Sequence, residues 1–213
     1  MDSGRLINGL ILYLGLLVLL TFHEFGHAWM AWKCGDDTAH SLGRVSLNPL
    51  VHIDLIGTVV LPLLLIFVAP AGFFVGWAKP VPVDPDNLRN PRADDIMVTL
   101  AGPWMNLLLA VAIMGIARLG FTFHAGGLYE VCLSLARLSL LLCFFNLLPI
   151  PPLDGSQVVR SLIGMSYETY HQIARYGIFI LILVLQIPII QQILNSVTTN
   201  SWIAIGHWFG VPL

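Results

Sequence analysis

The chain has 213 residues, 57% of them hydrophobic and only 10% charged. Soluble domains carry about 25% charge, so this composition, with a mean hydropathy of +0.82, excludes an ordinary water-soluble fold. A net charge of −2 and a pI near 6.3 leave no basic surface for a phosphate backbone, which sets nucleic acid aside as a partner.

In chain order, Leu6 to Trp32 is apolar apart from Asn8, Thr21 and the cluster His23, Glu24, His27, and reads as one spanning helix. Lys33 to Asp54 turns polar and is rich in turn residues, which predicts a loop, with room for short strands. Leu55 to Trp77 is apolar but interrupted by Pro62, Pro70, Gly72 and Gly76, so it is either a kinked span or a re-entrant hairpin. Lys79 to Asp95, with four prolines, reads as an extended connector. Ile96 to Leu119 and Leu128 to Leu148 are the next helices, and the latter runs into Asn146-Leu-Leu-Pro-Ile-Pro-Pro-Leu-Asp154-Gly155. Ser156 to Gln172 is mixed, and Ile173 to Leu194 is the last predicted span. The tail is too short to cross and places Trp202 and Trp208 at the headgroup level. The sum is an all-α polytopic membrane protein. It has about five membrane segments around one polar site, short extended or re-entrant segments between the first and third, and a single domain over residues 1–213. Cys34, Cys132 and Cys143 form no CxxC pair and are odd in number, so they read as packing residues.

His23-Glu24-Phe25-Gly26-His27 is HExxH on a predicted helix. Positions four apart share a face, so both imidazoles can meet one zinc ion while Glu24 takes a proton from water beside it. Ionisable residues at the middle of a membrane helix cost about 2.5–3.5 kcal/mol each on insertion scales, so three together need a common purpose. Catalytic zinc takes three protein ligands, and two histidines are one short. Asp154, acidic within apolar sequence and followed by Gly155, is the candidate third ligand; taken alone, it also fits a turn or helix-capping aspartate. Asn146 either donates to a substrate carbonyl or oxyanion or satisfies helix carbonyls freed by Pro149. His52 either approaches the metal or substrate or faces solvent from its loop. Asn106 reads as an amide packing between membrane helices, and Arg137 either pairs with a carboxylate or snorkels.

These landmarks together resemble the site-2 protease family of intramembrane zinc metalloproteases, in its compact bacterial branch. The resemblance rests on the HExxH helix and the Asn146 to Gly155 run, in the family's order. Between them, Ala101-Gly-Pro-Trp-Met-Asn106 is similar to the family's AGPxxN element, Gly76-Trp-Ala-Lys-Pro-Val81 to its GWxxPV segment, and the stretch around His52 to one found in the compact branch. The resemblance implies that His23, His27 and Asp154 bind one Zn²⁺, that Glu24 is the general base and that Asn146 assists the substrate. It further implies an integral protein of the bacterial cell membrane, acting on transmembrane protein substrates within the lipid bilayer. No PDZ-like or CBS-like insertion is visible. The alternative is a divalent-metal transporter using the same buried His and Asp residues, which would not need Glu24.

A transmembrane substrate must be unwound to be cut, and Arg44 to Val51 or Trp77 to Val83 could supply an extended edge for it. If every apolar segment crosses, the distribution of Lys and Arg predicts a cytoplasmic N-terminus. That count leaves a conflict: both motifs lie late in helices that would run in opposite directions, yet they must meet at one depth. Either the proline run starts a helix that carries Asp154 into the membrane, or Leu55 to Trp77 does not span.

Overall fold

The computed structural model describes residues 3–68 and 76–213. Helix α1, Ser3–Cys34, is built on a largely apolar run without proline, and the hydroxyl of its mid-helix Thr21 bonds back to the Leu17 carbonyl, which satisfies it without water. The chain then makes a one-turn helix α2, Thr38–Ser41, a 3₁₀ turn Pro49–His52, a π-helical stretch Leu55–Val60 and the short helix α3, Leu61–Val68. A non-helical strap over residues 76–84 leads to α4, Pro91–Thr122, followed by α5, Gly126–Asn146. Helices α1, α4 and α5 pack side by side and are the three segments long and apolar enough to cross a bilayer by length and composition.

About five membrane segments were expected; among the described residues three helices are long and apolar enough to cross, or four if a bent pair counts as one. Leu55 to Trp77 is not a single crossing. The Trp77 amide donates to the Gly57 carbonyl and the Lys79 amide to the His52 carbonyl, so residues 77–79 lie beside residues 52–57; Pro70 and Gly72 lie outside the described residues. The Arg89 amide donates to the Cys34 carbonyl, which brings the start of α4 to the end of α1. No strand occurs among the described residues, and the Arg44 to Val51 segment closes into the 3₁₀ turn at Pro49 rather than presenting an open edge.

Beyond α5, the proline run ends in a new helix α6, Asp154–Ile163, then α7, Tyr167–Ala174, so the mixed region is helical. The expected single span Ile173 to Leu194 is instead split. Helix α8, Gly177–Leu185, meets α9, Pro188–Trp208, at 82°. Pro188 pushes Ile187 out of helical geometry, and an extended Ile187 starts α9 afresh. Helix α9 runs on past Leu194 to pack on α5, where the Trp202 indole donates to the Leu133 carbonyl and Arg137 to Asn195. Arg137 thus pairs with an amide across helices.

The excursion between α1 and α4 is pinned by Asp36, whose carboxylate is fully buried and accepts from the Thr38 amide and hydroxyl, the Asp84 amide and the Asn87 side chain. Burial opposes its ionisation, but these hydrogen bonds win and hold its pKa below the ordinary carboxylate value. The stabilisation is therefore present above the unfolded-state value and lost as pH falls through the folded one. Asp36→Ala is expected to lower stability by about 1–3 kcal/mol at neutral pH, read by thermal unfolding in detergent, with the gap to wild type narrowing below pH 4.

Candidate metal centre and catalytic site

Two turns of α1 project His23 and His27 toward the first residue of α6. The two Nε2 atoms are 3.1 Å apart, and Asp154 Oδ2 lies 3.2 Å from His23 Nε2 and 3.4 Å from His27 Nε2. The side chains are 6, 12 and 13% exposed. Zinc bonded tetrahedrally at about 2.0–2.1 Å separates its ligands by about 3.3–3.4 Å, so the three edges match what one ion requires. Asp154 makes no capping bond to its own helix, and its Oδ2 is buried without a hydrogen bond of acceptable geometry. A turn or capping role therefore does not explain this carboxylate. The donor set is chemically suited to zinc: two imidazoles and a carboxylate, with one position to spare.

Backbone groups orient the set. His27 Nδ1 is 2.8 Å from the Val98 carbonyl of α4, an arrangement that makes Nδ1 the donor and leaves the Nε2 lone pair facing His23 and Asp154. Helix α4 comes close enough because α1 and α4 meet at small residues. A Cβ on Gly26 would stand 2.7 Å from the Ala101 carbonyl oxygen, and one on Gly102 would stand 2.2 Å from His27 Nε2. The AGPxxN element thus forms the back wall of the site, a role its sequence did not disclose. Asn106, fully buried, lies one turn further along with its amide 3.2 Å from His23 Nδ1. Likewise Gly155 admits the Leu147 carbonyl, 2.2 Å from where a Cβ would stand, which lets α6 start against the end of α5.

Glu24 lies beside the two imidazoles on α1, on the wall of the same cavity, where the strap crosses. Its Oε2 accepts the Val81 amide at 3.0 Å. The strap is held from behind: Arg44 donates to the Lys79 carbonyl at 2.7 Å and to the Pro80 carbonyl, and the Thr58 hydroxyl to the Trp77 carbonyl. His52 belongs to this support. It is buried, its Nε2 donates to the Ser46 carbonyl, its own carbonyl takes the Lys79 amide, and it stands outside the metal group. Burial, outweighing the Ser46 bond, pulls its pKa down, so the ring is neutral at pH 7. Asn146 lines the same cavity, of about 630 Å³, as His23, Glu24, His27 and Asp154. Its amide nitrogen, however, donates to Leu142 one turn back, the backbone-satisfying arrangement rather than one aimed at the three donors.

A buried cluster that the sequence did not announce seats α6. Asp95 of α4 accepts from Arg160 and Ser161 of α6 and, at 2.6 Å, from the Tyr167 hydroxyl, with the Arg160 guanidinium 3.6 Å over the Tyr167 ring. Burial first, then the bond to Asp95 and its charge, push the Tyr167 phenol up, so it stays a donor. This clamp fixes the helix whose first residue is Asp154.

The profile of peptidase family M50 matches residues 11–126 and 114–185. The Bacillus subtilis (strain 168) protein YwhC is 35% identical over 191 residues, covering 86% of this chain and 83% of that one. Rip2 of Mycolicibacterium smegmatis is 32% identical over 181 residues, covering 84% and 67%. Both are provisionally named zinc metalloproteases. The zinc metalloprotease MJ0392 of Methanocaldococcus jannaschii is 20% identical over 157 residues, 74% of this chain and 35% of its own. No solved structure matches.

The wall formed by α4 yields a direct test. Gly102→Ala drives a methyl into His27 and is expected to weaken zinc binding by at least about tenfold, measured by chelator competition. Gly126→Ala, where a Cβ meets nothing within 4 Å, is expected to bind as wild type.

Proposed function

The chain belongs to peptidase family M50, and from that premise we propose that it is a zinc-dependent endopeptidase cutting peptide bonds in or near transmembrane segments of other membrane proteins. The observation that carries this reading is the triangle of His23, His27 and Asp154 donor atoms, 3.1–3.4 Å on a side, with Glu24 on the wall of the same cavity. The names of the relatives support the reaction class, and nothing in the comparisons supports metal transport.

In this reading His23, His27 and Asp154 hold one zinc ion. When bound, zinc supplies Lewis acidity, acidifying water toward a pKa of about 7 and polarising a peptide carbonyl. Glu24 takes the proton of the attacking water and returns it to the departing amine. The Val81 amide fixes Oε2 and leaves Oε1 to carry that proton. Asn146, at the cavity wall, turns its amide from Leu142 to the substrate carbonyl.

The strap sets how a substrate can lie. A transmembrane helix must open locally before its carbonyls can be attacked. On the strap, Trp77, Lys79, Val81 and Asp84 have spent their amides and Pro80 and Pro82 have none, so Gly76, Ala78 and Val83 are its remaining donors and carbonyls predominate. An unwound substrate pairs there chiefly through its own N–H groups. Three crossings also gather Lys33, Arg44, Lys79, Arg89 and Arg92 at the site's end of the bundle, opposite Arg5 and Arg118. The positive-inside rule then turns the site to the cytoplasmic face of a bacterial cell membrane and the N-terminus outward, reversing the orientation expected from five crossings.

Glu24→Gln separates the roles. It is expected to retain zinc while cleavage of a transmembrane substrate in detergent falls by at least about 100-fold. Wild-type cleavage by this variant would overturn the assignment of Glu24, and zinc flux into vesicles without cleaved products would replace the enzyme with a transporter.

A further inference from the structure

Asn106 is a polar side chain that reaches His23 from behind and has no task in the reaction. It sits in the middle of α4, fully buried, with its amide 3.2 Å from His23 Nδ1. Its main-chain carbonyl accepts the Ser139 hydroxyl at 2.6 Å, which ties this turn of α4 to α5 and fixes the side chain's origin. With the amide nitrogen toward the ring, Asn106 Oδ1 is a buried acceptor with no partner. Placing nitrogen there also forces a lone pair onto His23 Nδ1 and a proton onto Nε2, the atom that faces Asp154 Oδ2 at 3.2 Å. That is the tautomer unable to bind a metal through Nε2.

The opposite orientation resolves both defects. A side-chain amide has nearly the same shape either way round, so the same placement can present Oδ1 to the ring. Oδ1 then accepts the Nδ1 proton, the stranded oxygen gains its partner, and the Nε2 lone pair turns toward His27 and Asp154. We infer that Asn106 is the positioning residue of His23, its amide oxygen selecting the metal-binding tautomer across the α1–α4 interface as the Val98 carbonyl does for His27. The asymmetry between the ligands follows from the helix. Val98 lends His27 a main-chain carbonyl at the height of Gly102, whereas His23 lies where α4 presents a side chain.

The inference rests on the zinc reading of the site, and the two fail differently. The full chain in detergent is loaded with zinc and titrated against a competing chelator. A wild-type chain that takes up no zinc ends the metal reading itself. If wild type binds, Asn106→Leu, which can neither donate nor accept, is expected to bind about 10–100-fold more weakly. Asn106→Asp, which accepts but does not donate when ionised, is expected to restore affinity to near the wild-type value. Should the leucine variant fail to fold, the aspartate variant decides alone: retained affinity supports an acceptor at this position, and a loss of tenfold or more overturns it. Equal affinity in wild type and Asn106→Leu overturns it as well.

Discussion

Acceptors aimed at one point repel one another, and side chains only 6–13% exposed have little solvent to screen them. His23 Nε2, His27 Nε2 and Asp154 Oδ2 are held 3.1–3.4 Å apart, an arrangement that a shared cation makes favourable and that hydrocarbon packing alone would never select. The rest of the molecule is arranged around sustaining it. Gly26 and Gly102 let α1 and α4 approach until the imidazoles lie against backbone, Gly155 lets α6 begin against the end of α5, and the Asp95–Arg160 pair, joined by Tyr167, keeps α6 seated. Removing one partner of such a buried pair costs about 3–5 kcal/mol because the other charge remains, so the clamp and the site share a stake in the same helix.

The chain path makes this possible with few crossings. Because the stretch after α1 comes back on itself at Gly57 and Trp77, α4 starts where α1 ends, and α5 returns the chain to that same end. The conflict between two late motifs in opposed helices disappears once the count drops from five to three. The proline run then does the remaining work by stopping α5 and starting α6 at Asp154. The same excursion supplies the strap, whose Val81 amide holds the Glu24 carboxylate.

What the sequence made legible was chemistry with local periodicity. HExxH on an uninterrupted apolar helix fixes its own geometry, and an aspartate stranded between prolines and glycine in apolar sequence stands out against its surroundings. Contacts between distant segments were not legible. Asp95 looked like the end of a polar connector and Arg160 lay unremarked in a mixed stretch, and their pairing across α4 and α6 explains both. Asn106 was correctly an amide bonding across helices, but its partner is a residue 83 positions away. Counting apolar runs as crossings failed for a physical reason too. Hydropathy measures compatibility with lipid, and Leu55–Val68 and the Pro188 break show that backbone geometry decides whether such a run crosses, turns back or bends.

The orienting groups follow a rule set by the solvent. Every added polar side chain raises the cost of inserting a helix, whereas a main-chain carbonyl already in a helix has a second lone pair to offer. His27 is accordingly oriented by the Val98 carbonyl and Glu24 by the Val81 amide. The strap is tied to the carbonyls of Gly57 and His52. Pro80 and Pro82 sharpen the effect on the strap by removing amides that would otherwise want partners in a water-poor setting. Of the two imidazoles, His23 is the one that meets a side chain, that of Asn106, which is fully enclosed and whose turn of α4 is tied to Ser139 of α5. His27 and Glu24 are thus oriented by groups that the chain carries anyway, and the added polar side chains of Arg44 and Thr58 act one step back, on the strap.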